Sequence, residues 1–232
     1  MQLDCGGGLR QVRAVQERGS GWMPWVVACV FALTRIPGVL PSNFSAAYAL
    51  MFCAGVFFPS TLRWKLPLGV MLVTDLLLNV WYQWGKGYEV FTLTGCLYLV
   101  GNYIGYGVLL GLGRCFKPGS NFLGLLGGGM LGAVLFYFIT NTFSWLFNPF
   151  HNPEYTRDLA GWIRALTTGT SGWPQVWEFF RNTLLSGGLF TALFAGAWRL
   201  TAGAESPREK GEEAAEPAAA PEATPEPKEA GA

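Results

Sequence analysis

The sequence predicts an all-α membrane protein: about six transmembrane helices in one bundle, the second of them short, with an outer amphipathic segment and a disordered C-terminal tail. Three observations predict it. Hydrophobic residues make up 51% of the 232 and charged ones only 13%, whereas about a quarter of a soluble domain is charged. Six apolar stretches follow one another, most of them near the roughly 20 residues that cross a bilayer. Charge is also segregated: from Thr201 onward eight glutamates oppose Arg208, Lys210 and Lys228, so a net +1 chain carries a tail of 3 − 8 = −5.

Residues 1–21 are polar and Gly-rich, with Arg10, Arg13 and Arg18. The apolar run after them ends in Arg35-Ile-Pro-Gly rather than a small-residue cleavage site, which predicts an uncleaved cytoplasmic lead. Residues 22–200 then form the transmembrane domain, in segments Trp22–Leu40, Ser45–Phe58, Leu66–Tyr82, Tyr88–Leu112, Phe122–Phe147 and Trp177–Leu200. The second has fourteen residues and is stopped by Pro59, so it reads either as a short span or as a re-entrant piece.

Basic residues decide between the two. Cytoplasmic loops are enriched in Lys and Arg. Six spans with the N-terminus inside put eleven basic residues inside and five outside, or eight against five without the tail. If the second segment does not cross, the bias disappears. The expectation is a multi-pass membrane protein with both termini cytoplasmic.

In that topology the loop Asn148–Pro174 lies outside. Within it, residues 152–168 space Leu159, Trp162, Ile163 and Leu166 among Arg157, Asp158 and Arg164, a pattern suited to an amphipathic helix on the outer surface. Residues 201–232 are mostly Ala, Glu and Pro, with too little apolar surface to fold on their own.

No enzyme signature appears. His151 is the one histidine, which rules out a HExxH zinc motif, and Gly169-Thr-Ser-Gly172 lacks the spacing of a nucleophile elbow. Cys5, Cys29, Cys53, Cys96 and Cys115 form no CxxC pair and read as small apolar packing residues. The expectation is a non-enzyme without metal or cofactor, partnered by the lipid bilayer and not by nucleic acid.

Ionisable groups inside a membrane are costly and are either functional or paired. Arg35 and Asp75 stand out, both toward the outer half. Asn79 shares Asp75's face one turn on. Asn141 and Trp145 lie in the outer third of the fifth segment, Arg181 and Asn182 open the sixth, and Asn43 sits in the first outer loop. The functional reading is an outward ligand pocket; the structural alternative is an Arg35–Asp75 ion pair plus interhelical amide bonds. Trp81, Tyr82, Trp84, Trp145, Trp162, Trp173 and Trp177 collect on the same side, as an interfacial belt or as the walls of a pocket for a flat organic molecule. Small residues recur at four-residue spacing: Ala28/Ala32, Gly101/Gly105, Gly107/Gly111, Gly124/Gly128 and Gly128/Gly132. The glycines suit contacts within the chain, and Ala28/Ala32 equally suits a partner subunit.

Three stretches carry a resemblance: Arg35-Ile-Pro-Gly-Val-Leu-Pro-Ser-Asn-Phe-Ser-Ala followed by Ala49-Leu-Met-Phe-Cys-Ala-Gly; Leu66-Pro-Leu-Gly with Thr74-Asp-Leu-Leu-Leu-Asn79; and Phe136-Tyr-Phe-Ile-Thr-Asn-Thr-Phe-Ser-Trp145. Across about Arg35–Phe194 the chain resembles an uncharacterised family of small bacterial membrane proteins. That family is similar in turn to the substrate-binding S components of energy-coupling-factor vitamin transporters. The resemblance implies a small organic ligand captured from outside and docking on a membrane coupling subunit with ATPases, Ala28 and Ala32 matching an AxxxA docking motif. Arg35 and Arg181 would then meet an anionic or polar group, Asn43, Asp75, Asn79, Asn141 and Asn182 would supply hydrogen bonds, and Trp145 an apolar wall. The expected function is a substrate-capturing membrane subunit of a small-molecule importer. The alternative is a non-catalytic membrane scaffold whose tail recruits a cytoplasmic partner.

Overall fold

The computed structural model describes residues 21–213, with side chains as far as Thr201. The described residues are helical and contain no strand: α1 (Met23–Thr34), α2 (Ala47–Phe57), α3 (Lys65–Val80, continued by a π-helical turn Trp81–Gly85), α4 (Leu93–Gly113), α5 (Phe122–Phe147), α6 (Leu159–Leu166) and α7 (Val176–Glu213). Among the described residues three stretches, Lys65–Gly85, Leu93–Gly113 and Phe122–Phe147, are long and apolar enough to cross a membrane; α1 and α2 are apolar but shorter. The chain is thus a helical protein with the character of a membrane bundle.

α1 begins on Pro24, where a missing N–H costs nothing. It ends at Thr34, six residues before the apolar segment does, because Pro37 disfavours helix at Ile36 and Gly38 takes φ +83°. Arg35 therefore caps the helix instead of lying within it. The hydroxyl of Thr34 donates to Phe31 O and accepts from Ala46 N, 3.1 Å away, so the end of α1 is tied to the start of α2.

α2 is the centre of the molecule: all eleven of its residues are buried, against α4, α7, α5 and α1. Pro59 removes the N–H that would continue it, and Phe58 turns extended. α3 packs on α1 and α2 at the periphery. Thr92 caps α4 by accepting from Gly95 N, Asn121 caps α5 by accepting from Leu123 N, and Asn148 closes α5 in the left-handed region at φ +38°.

Chain direction alternates. At one end Asn182 of α7 reaches Ser42 O in the α1–α2 loop. At the other, Trp198 of α7 stacks on Phe57 with centroids 4.9 Å apart, and Arg199 donates to Ser120 O ahead of α5. Lipid gives apolar helices no hydrophobic reason to associate, so close packing must hold the bundle. The glycines supply it: Gly101 lies on Phe143, Gly105 on Phe136, and Gly128 between Phe52 and Phe116. Gly107, Gly111 and Gly124 face open space.

The last helix passes Thr201, where the tail was expected to start, and runs to Glu213. The lead up to residue 20 and the tail from residue 214 lie outside the described residues.

Candidate functional site

The C-terminal cap of α1 meets the middle of α3 and of α4 in a charged cluster. From the cap of α1, Arg35 Nη2 donates to Asp75 Oδ1 in the middle of α3. Tyr103, on the facing side of α4, donates from its hydroxyl to Asp75 Oδ2 at 3.0 Å. Phe31, one turn before Arg35, places its ring 5.8 Å from the guanidinium carbon. The two charged side chains keep 18% and 13% of their surface accessible. Asp75 thus has both oxygens engaged, while Arg35 Nε is buried without a partner.

An aromatic chain leads inward from the cluster. Tyr103 and Tyr106 lie 6.0 Å apart edge to face, Tyr106 stacks on Phe136 at 4.8 Å, and Phe136 meets Tyr48 at 5.0 Å. The Tyr48 hydroxyl, in the bundle core, donates to Asn43 O and accepts from Thr183, each at 3.4 Å. Aromatic pairing of this kind adds about 0.5–1.5 kcal/mol beyond area burial.

The other sequence candidates fall into separate places. Asn43 is exposed and takes φ +60°, so it serves as a turn residue whose carbonyl faces Tyr48. Asn182 donates to Ser42 O next to it, at 3.0 Å. Asn141 turns back on its own helix, donating to Tyr137 O at 2.8 Å. Trp145 donates to Thr156 O at 2.7 Å and Trp162 to the Thr142 hydroxyl at 3.1 Å, which fastens the loop layer around α6 to the end of α5. Asn79 is half-buried on α3 and Arg181 is exposed on α7. Ala28 is buried among this chain's own helices, with 4% of its surface accessible, and Ala32 is half-buried. Of the eight expected ligand residues, then, only Arg35 and Asp75 touch. Tyr103 joins them unforeseen, because the apolar sequence around it does not say which way α4 is rotated.

The loop layer has its own electrostatics. Asp158 caps α6 by accepting from Gly161 N at 2.7 Å and from the Thr156 hydroxyl at 2.8 Å, and these bonds, the backbone one first, hold its carboxyl below the usual range. Hydrogen bonding from Ser171 does the same for Glu154. Phe150 rests on Tyr98 of α4 at 5.8 Å, carrying the layer across to that helix.

A groove of about 500 Å³ opens on the surface between α3 and α4, lined by Leu72, Cys96, Leu99, Val100, Tyr103 and Ile104. Apart from the Tyr103 hydroxyl its walls are apolar. Among the described residues no group of three His, Cys, Asp or Glu side chains gathers to hold a metal.

The sequence model of a family of unknown function (DUF6580) matches residues 16–209, and the chain belongs to that family. The match reaches past both ends of the stretch that carried the resemblance in the sequence. No curated protein and no solved structure matches the chain.

Proposed function

We propose that this member of the DUF6580 family is the substrate-capturing membrane subunit of a small-molecule importer, similar to the S components of energy-coupling-factor transporters, with its ligand site at the Arg35–Asp75–Tyr103 cluster. The observation that carries the reading is the unmet valence of Arg35. One terminal nitrogen holds Asp75, on a helix long and apolar enough to cross a membrane, and Nε is buried with no partner. A pair kept only for structure is best with every donor met, because unsatisfied polar groups are costly away from water. A polar group of a small organic ligand would meet Nε. The alternating chain direction supports six spans with both termini on the cytoplasmic side of a bacterial inner membrane, and the basic lead and inner loops agree with it. A coupling subunit with ATPases would supply the energy.

A specific observation favours a second reading, a non-catalytic assembly protein. Asn141, Asn182 and Trp145 spend their donors on backbone carbonyls, and Ala28 faces inward. Native mass spectrometry of the full chain in mild detergent separates the two. A co-purifying small molecule held by the wild type and lost from Arg35→Leu supports capture. A ligand-free protein that co-purifies with a stoichiometric protein partner through its tail supports assembly.

A further inference from the structure

Three features bear on how a molecule reaches the Arg35 cluster. At the end of the bundle that carries the loop layer, Asn182 holds the Ser42 carbonyl, Trp145 and Trp162 hold the layer, and Phe150 carries it to Tyr98 of α4. On the surface between α3 and α4 the groove is open, and it shares one residue with the cluster, Tyr103. Thirdly, the cluster is electrically balanced, one Arg against one Asp.

From these we infer that the cluster takes an uncharged single-chain amphiphile, of the long-chain alcohol class, which enters from the outer leaflet with its apolar body in the groove and its polar end at Tyr103. The inference rests on the capture reading and names its substrate class. The size agrees: ten residues of a helix fill a cylinder about 10 Å wide and 15 Å long, on the order of 1,200 Å³, more than twice the groove's 500 Å³ or so. A hydrocarbon chain therefore fits the groove whole, whereas a helix would enter it by one face only. The charge agrees as well. A carboxylate or phosphate head would leave the balanced pair with a net negative charge in a medium of low dielectric. A hydroxyl adds none. Tyr103 already donates to Asp75 Oδ2, so its own oxygen is free to accept the proton of an alcohol.

The test uses the full chain in phosphatidylcholine nanodiscs and hexadecanol carrying a photoreactive diazirine in its chain. Crosslinks are expected within residues 96–104, to be displaced by plain hexadecanol but not by hexadecyl phosphate. Val100→Trp fills the groove from a half-exposed position and should reduce those crosslinks to the level seen on the lipid-facing Leu76–Leu77 surface, with the melting temperature unchanged. Tyr103→Phe should weaken competition by hexadecanol about fivefold, the worth of one neutral hydrogen bond. Crosslinks spread evenly over all exposed helix faces, or unaffected by Val100→Trp, overturn the inference. So does equal displacement by hexadecyl phosphate. If native mass spectrometry finds instead a water-soluble molecule whose retention needs Arg35 and ignores Val100→Trp, the capture reading stands and the amphiphile inference fails. If hexadecanol binds as expected but Arg35→Leu retains it, the groove is a lipid site and the capture reading fails.

Discussion

Gly55 of α2 and Gly113 of α4 meet backbone to backbone. A Cβ built on Gly55 would lie 2.9 Å from Gly113 Cα and overlap Leu110 O, and one built on Gly113 would lie 3.0 Å from Gly55 Cα and overlap Phe52 O. Neither helix can yield without moving its whole axis. Gly55→Ala and Gly113→Ala should each destabilise the protein by about 1–3 kcal/mol, the usual cost of overpacking. Gly111→Ala, which meets nothing within 4 Å, should be neutral. The check is thermal unfolding in detergent of all three variants; equal melting temperatures would show that α2 and α4 do not cross here.

Removing one member of the Arg35–Asp75 pair leaves the other charge alone in the membrane. Asp75→Leu and Arg35→Leu should each lose up to about 3 kcal/mol, at the low edge of the range for buried pairs because both side chains retain some accessibility. Arg35→Leu/Asp75→Leu should recover much of that stability, while a co-purifying ligand, lost in both singles, stays lost. Recovery of stability with ligand retained in every variant would make the pair purely structural.

Six alternating spans place Lys86 and Arg164 on one side and Lys117 on the other. Cysteines introduced at Lys86 and Arg164 should react with an impermeant maleimide on intact cells, and one at Lys117 only after permeabilisation. Labelling of positions 86 and 117 from the same side would refute alternation across α4.

Asp158 has a folded pKa below its ordinary value of 3.8, so its cap contributes in full above that value and is lost as pH falls through the depressed one. Amide exchange across residues 159–166 should therefore speed up as pH drops below about 4, relative to the intrinsic rate. Asp158→Asn, which caps about as well but does not titrate, should lack that acid step. A wild type with a flat profile would mean that the cap does not hold α6.

Composition and spacing made much of the fold legible. The long apolar stretches, the stop at Pro59 and the amphipathic segment over residues 152–168 are properties of single runs of chain; they reappear as α3 to α5, α7 and the end of α2, and the amphipathic segment as α6 over its part Leu159–Leu166 alone. Depth was legible too, which is how Arg35 and Asp75 were paired. Rotation was not. A helix hydrophobic all round has no marked face, so nothing in the sequence says that Tyr103 turns toward Asp75, that Asn141 bends back to Tyr137 O, or that Ala28 points inward. The glycine pairs show the same limit: Gly101/Gly105 and Gly107/Gly111 have the same spacing, and only the first pair is covered. The Gly55–Gly113 contact joins residues far apart in sequence and has no local signature.

The total enclosure of α2 sets the order in which this protein can be made. Its eleven residues extend about 16 Å, roughly half the ~30 Å hydrocarbon layer, and the helices that cover it, α4, α5 and α7, are all synthesised later. A nascent chain that has released only α1 to α3 therefore carries its future centre as a passenger, in a bilayer that must thin around it. The closing act belongs to α7, which lays Thr183 on Tyr48 and Trp198 on Phe57. A ribosome stalled before residue 176 would hold all of α2 but lack Phe190, Phe194 and Ala195, the part of the core that α7 brings.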